Sequence, residues 1–147
     1  MKRCFTEEDI AEVDRLHHVI HQKLVQTPYE SHYPRLKGLS SIEMSVLRIL
    51  ADDPDAMPTD IAKEIGVSKS TLTSAINRLE ERAYIERRIS PEDKRSFRLA
   101  LTREGELAQG EHLASEREFY TRLLGFLGSK EETAAFLRLA AKIVEGF

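Results

Sequence analysis

Apolar residues at Ile61, Ala62 and Ile65 recur at helical spacing after Pro58 and stop at Gly66, a residue that tolerates positive φ. A second helical run begins almost at once. Ser68 is placed to cap it by accepting from the backbone N–H near Thr71, and Leu72, Ala75, Ile76 and Leu79 follow at offsets of three and four. Two short helices across a tight Gly66-Val67 turn are therefore expected. The outward face of the second carries Lys69, Ser70, Thr73, Ser74, Asn77 and Arg78, with hardly an acid before Glu80. Short hydroxyls, an amide and two cations are the groups that base edges and phosphates require. An ordinary amphipathic helix with a solvated polar side fits the same pattern, and the helix alone does not separate the two readings.

The next segment does. Tyr84 to Ile89 and Ser96 to Leu101 are short runs with β-branched, aromatic and alternating residues, joined by the turn-rich Ser90-Pro91-Glu92-Asp93-Lys94-Arg95. They predict a two-stranded wing that leans on the helices and exposes its tip. An arginine on such a projection, here Arg95, can enter a minor groove beside Lys94, and Asp93 can orient its guanidinium. The alternative for Asp93-Lys94-Arg95 is a solvated turn.

The ends of the chain are patterned for a different task. Thr6 with Asp9 marks a helix start, and Ile10, Val13, Leu16, Ile20 and Leu24 carry an apolar stripe to about Val25, before Pro28. A long helix is expected from Arg103 to about Leu127, with Leu107, Leu113, Phe119, Tyr120, Leu123 and Leu124 along it. Ser129 with Glu132 opens a last one, striped by Ala135, Leu139, Ile143 and Val144. These helices carry more apolar face than a small head can cover. Pairing with a second copy is the expected solution, and a two-fold axis would set two reading helices one DNA turn apart, ~34 Å. Folding back onto the chain's own head is the monomeric alternative.

Composition and charge sharpen this picture. The 147 residues suffice for one domain with a real core. The net charge of -3 is unevenly spread: from Pro58 to Arg103, ten Lys and Arg stand against seven Asp and Glu, while each flank is acidic by three. The basic excess is confined to the proposed reading head, where it would steer toward phosphate. No apolar run of membrane-spanning length and no export signal is present, so the cytoplasm is the expected location. A single cysteine allows no internal disulfide and no thiolate zinc cluster. The sequence contains no Gly-rich phosphate loop, nucleophile elbow or His-Glu-x-x-His, so no catalytic residue is expected and no cofactor is implied.

In its ordered motifs the chain resembles the MarR (multiple antibiotic resistance regulator) family of bacterial transcription regulators. The resemblance is carried by Leu39-Ser40, Val46 to Leu50, Ile61-Ala62, Val67 to Thr73, Arg78-Leu79-Glu80, Ile85-Glu86-Arg87, Asp93-Lys94-Arg95 and Leu101 to Gly105. It implies a mainly α fold with a small β-hairpin wing: a winged helix-turn-helix at residues 39–103, with dimerisation helices at 5–27 and 104–147, in one domain spanning 1–147. The implied function is a dimeric regulator, a repressor more often than an activator, bound to double-stranded DNA at a pseudo-palindromic operator. Its implied DNA-binding residues are Lys69, Ser70, Thr71, Thr73, Ser74, Asn77, Arg78, Asp93, Lys94 and Arg95. Two positions depart from the family pattern. Ala83 stands where glycine is usual, so the second helix is expected to end without a left-handed cap, and Ser74 stands where arginine is common.

The resemblance also implies a small aromatic or anionic effector, for which His17, His21, Tyr29 and Tyr33 are candidate pocket residues. His17 and His21, four apart, have the spacing of a metal-ligand pair, with His18, His32, His112 and Cys4 as additions. No second pair stands at ligand spacing, so solvated or hydrogen-bonded histidines are the expectation and no metal is assigned. Cys4, near Lys2 and Arg3, reads as an incidental thiol rather than a redox switch. A metal- or redox-responsive regulator of the same fold is one alternative function; a winged helix that binds protein is another.

Overall fold

A computed structural model describes residues 4–25, 32–89 and 97–146, except for the side chains of His21, Leu24 and Val25. The chain divides into two compact units, Met1–Pro34 and Arg35–Phe147. In the first, α1 (Glu7–Val25) begins where Thr6 and Asp9 cap each other: Thr6 N donates to Asp9 Oδ2 at 2.7 Å and Asp9 N to Thr6 Oγ1 at 3.2 Å. Its stripe of Ile10, Val13, Leu16 and Ile20 remains 44% to 66% exposed.

The second unit runs α2 (Ser41–Asp52), α3 (Pro58–Ile65), α4 (Lys69–Glu81), β1 (Ile85–Ile89), β2 (Phe97–Leu101), α5 (Arg103–Gly125) and α6 (Lys130–Val144). The fold is mainly α with one antiparallel hairpin, as the periodicity implied. Its core joins Val46, Leu47 and Leu50 of α2, Ile61 of α3, Leu72, Ile76 and Leu79 of α4, Ile85 and Leu99 of the hairpin and Ala108 of α5. Both apolar faces of the α3-turn-α4 pair point into this cluster. The sharp turn between them is possible because Gly66 adopts φ 76°, and its N–H closes α3 by bonding Ala62 O at 3.0 Å. Ser68 then caps α4, its Oγ accepting from Thr71 N at 3.1 Å.

The end of α4 differs from the sequence expectation. Ala83 takes the left-handed conformation, φ 57°, in spite of its Cβ. Ala83 N bonds Glu80 O at 2.8 Å and Tyr84 N bonds Leu79 O at 2.9 Å, the paired pattern of a Schellman cap. The chain must reverse here to send β1 back along the core, and that demand overrides the cost of an alanine at positive φ.

The hairpin leads directly into α5. Thr102 N bonds Tyr84 O at 3.0 Å, and Thr102 Oγ1 accepts from Gly105 N at 3.1 Å to cap α5. The first turn of α5 lies so close to the corner that a Cβ on Gly105 would meet Tyr84 O at 1.9 Å. Farther along, α5 leaves the core: Leu113 is 55% exposed and Tyr120 52%. None of the residues of α6 is buried.

Two substitutions test this backbone reading. Ala83→Gly should stabilise the protein by about 1 kcal/mol, seen as a higher urea midpoint at unchanged slope. Gly105→Ala should cost roughly 1–3 kcal/mol, since the obstructing atom is backbone. A neutral result for both would show that neither corner is constrained as described.

Candidate nucleic-acid interface

With Leu72, Ala75, Ile76 and Leu79 all buried, the opposite side of α4 faces outward: Lys69, Ser70, Thr71, Thr73, Ser74, Asn77 and Arg78 are exposed, with Glu80 half-buried near its end. Their hydrogen-bonding capacity is already sorted. The Thr71 hydroxyl lies 2.8 Å from Ser68 Oγ and belongs to the N-terminal cap, as does that of Ser70 at 2.9 Å. Thr73 and Ser74 donate to the carbonyls of Lys69 and Ser70 at 2.8 and 3.0 Å. Their protons are therefore turned into the helix and their lone pairs outward, which suits them to accept. Asn77 Oδ1 accepts from Arg87 Nη2 of β1 at 2.8 Å.

A buried carboxylate anchors this helix to the head. Glu43 is 2% exposed and closes the capping box of α2: its Oε2 accepts from Ser40 N at 2.6 Å, and Ser40 Oγ accepts from Glu43 N at 3.2 Å. Its Oε1 accepts from Arg78 Nε of α4 at 2.7 Å. Burial pushes the Glu43 carboxyl up, but the Ser40 backbone N–H, the Arg78 guanidinium and the Ser40 hydroxyl together hold it below the usual glutamate range. Arg78 is thus tied by one edge while its side chain stays 53% exposed, leaving its other nitrogens toward solvent.

The hairpin is tied to the same helix. Arg87 reaches Glu80 of α4 at 3.0 Å and lies over the Phe97 ring, 4.9 Å from its centroid. The register pairs Arg87 with Leu99 and Ile89 with Phe97, so these residues share one face of the hairpin with the buried Ile85. Arg98 pairs with Asp55 and Arg88 with Glu86. Lys69, in the first turn of α4, takes part in none of these pairs. Between α3, α4 and the hairpin lies a cleft of about 340 Å³, lined among others by Thr59, Lys69, Thr73, Arg87 and Phe97. Asp93, Lys94 and Arg95 lie outside the described residues.

The proposed effector residues lie only partly within what is described. Tyr29 and the His21 side chain lie outside it, His17 is exposed on α1 and its ring meets that of His18, and Tyr33 is half-buried. His18 Nδ1 lies 2.8 Å from Asp14 O, and His112 Nδ1 of α5 lies 3.4 Å from Gln109 Oε1. Among the described residues, no three His, Cys, Asp or Glu side chains are placed to hold a metal ion.

Sequence reasoning assigned no role to Glu43 or Arg87. The Ser40-x-x-Glu43 spacing was a readable capping signal, although nothing local linked it to Arg78, 35 residues later. Arg87 could be placed beside Asn77 only once the hairpin register was known.

The MarR family model matches residues 39–97. The chain is 31% identical to the transcriptional regulator HosA of Escherichia coli O111:H- over 113 residues, 74% of this chain and 80% of that protein. It is 26% identical to the HTH-type transcriptional regulator YwhA of Bacillus subtilis over 139 residues, 95% of this chain and 99% of that one. Among solved structures, Streptococcus pneumoniae FabT in complex with DNA superposes with a TM-score of 0.77 at 27% identity, covering 95% of this chain and 96% of FabT.

The buried Glu43 carboxylate carries a pH signature. Because its folded titration lies below the ordinary value of 4.5, the folded protein binds fewer protons than the unfolded chain in acid. Its contribution is full above that ordinary range and is lost as pH falls through the lowered folded value. Urea midpoints followed from about pH 7 to about pH 3 should therefore fall more steeply for the parent than for Glu43→Gln, which starts less stable by roughly 1–3 kcal/mol. Parallel profiles would contradict the anchoring role.

Proposed function

The chain belongs to the MarR family of transcription regulators, and we propose that it acts as a homodimeric repressor that reads a pseudo-palindromic operator with α4 in the major groove and the hairpin tip in the minor groove. It is a DNA-binding regulator, not an enzyme. The observation that carries the reading is the rotation of α4. Its apolar stripe is buried, so the hydroxyls, amide and cations from Lys69 to Arg78 face outward beside a hairpin fixed to the same helix. FabT, similar over nearly its whole length, is a protein solved on DNA.

In this proposal Lys69 and Lys94 meet phosphates, as do the outward nitrogens of Arg78. Thr73 and Ser74 accept from base edges and Asn77 donates to one, while Arg95, oriented by Asp93, enters the minor groove. Ser70 and Thr71 contribute through the N-terminus of α4, where backbone N–H groups favour a phosphate. Apolar faces left open on α1, and separately on α5 and α6, support assembly with a second copy: Val13 is 66% exposed and Ile143 62%. Such pairing would set two copies of α4 about one helical turn apart. Occupying an operator excludes polymerase, which favours repression. For modulation, the cleft beside α4 offers the Lys69 cation, a Thr73 hydroxyl and the Phe97 ring, a lining suited to a small aromatic acid whose binding would compete with DNA. Among the described residues, no helix is long and apolar enough to cross a membrane.

Fluorescence anisotropy with the upstream DNA and with a random duplex, at two salt concentrations, tests the reading. Asn77→Ala should cost roughly 1–3 kcal/mol on the selected site and relax preference there. Lys69→Ala should weaken all sequences alike and flatten the salt dependence, and Arg95→Ala should weaken binding while leaving the major-groove preference in place. Binding that ignores salt, or equal losses on both duplexes for every variant, would overturn it.

A further inference from the structure

We propose that Arg87 is a positioning residue that locks the side-chain amide of Asn77, so that Asn77 reads guanine or thymine rather than adenine. A guanidinium has donors and no acceptor, so the Asn77 atom 2.8 Å from Arg87 Nη2 must be the carbonyl oxygen. The amide nitrogen is thereby turned away from the hairpin. Arg87 is itself held by Glu80, whose carboxylate lies 3.0 Å from the same Nη2, and by the Phe97 ring at 4.9 Å, and its backbone is fixed in the β ladder opposite Leu99. The amide cannot flip without leaving a donor facing a donor.

The consequence for recognition is chemical. An unrestrained asparagine in a major groove serves adenine, donating to N7 and accepting from the N6 amine. Here one lone pair of the oxygen is taken by Arg87, which holds that oxygen toward the hairpin, so that the exposed side of α4 is left to the N–H donors. They match edges that only accept, guanine O6 and N7 or thymine O4, and meet an unfavourable donor on adenine N6. The clamp therefore converts a donor-acceptor reader into a donor. This inference rests on α4 being the DNA-reading helix.

The test is selection from randomised duplexes by the full-length parent, Asn77→Ala, Asn77→Asp and Arg87→Met, with melting curves to establish that each is folded. The position that loses preference in Asn77→Ala should be guanine or thymine in the parent. Asn77→Asp keeps an oxygen toward Arg87 but removes the donors, so that position should move to cytosine, whose N4 donates. Arg87→Met frees the amide and should raise adenine at that position by about fivefold or more relative to the parent. If Arg87→Met fails to fold, the Asn77→Asp result decides alone. Adenine at that position in the parent, or a preference unmoved by Asn77→Asp, overturns the clamp while leaving DNA reading by α4 intact. A parent that selects no sequence overturns both.

Discussion

Leu72, Ala75, Ile76 and Leu79 are 0% to 3% exposed, and their burial sets the rotation of α4 about its own axis. Each fully buried Leu or Ile contributes roughly 1.5–3 kcal/mol, so turning this helix by one residue would forfeit several kcal/mol. The polar face is left no choice of direction. The proposed interface follows from core packing on the opposite side of the helix, with α2, α3 and the hairpin supplying the surface against which α4 is seated.

Ionic contacts then act on what packing has placed. Exposed pairs such as Arg88 with Glu86 add little stability, because solvent screens them. The contacts of Arg78 with buried Glu43, and of Arg87 with Glu80 and Asn77, differ in that they limit where a guanidinium or an amide can point. Orientation is what a reading surface requires, since a hydrogen bond to a base edge discriminates only if its donor is already aimed. The same pairing tempers the electrostatics. The segment from Pro58 to Arg103 has an excess of three positive charges, yet several of its arginines already face carboxylates. A count of its cations overstates the number of phosphates it would neutralise.

Much of this fold was legible in the chain. Period-3.6 stripes located α1, α4 and the helices beyond Thr102, and local chemistry located their starts at Thr6, Ser68 and Ser129. The hairpin strands were found to within about a residue, although Tyr84 turned out to belong to the cap of α4 rather than to β1. Ala83 was misjudged because a local steric preference was weighed without the tertiary demand for a chain reversal at that point. Glu43 and Arg87 were missed for a different reason. Each acts through a partner on another element, 35 residues away for Glu43 and 10 for Arg87, and only the packed structure reveals those distances. Thr71 was included among the implied DNA-binding residues, and its hydroxyl is engaged with Ser68 at the start of α4.

The most direct test of the central claim, that the outward face of α4 is the surface that reads DNA, is a crystal structure of the protein on the duplex it selects. α4 should lie in the major groove with Thr73, Ser74 and Asn77 against base edges and the Leu72 to Leu79 stripe still buried. DNA seated on another face, with α4 turned to solvent, would contradict it.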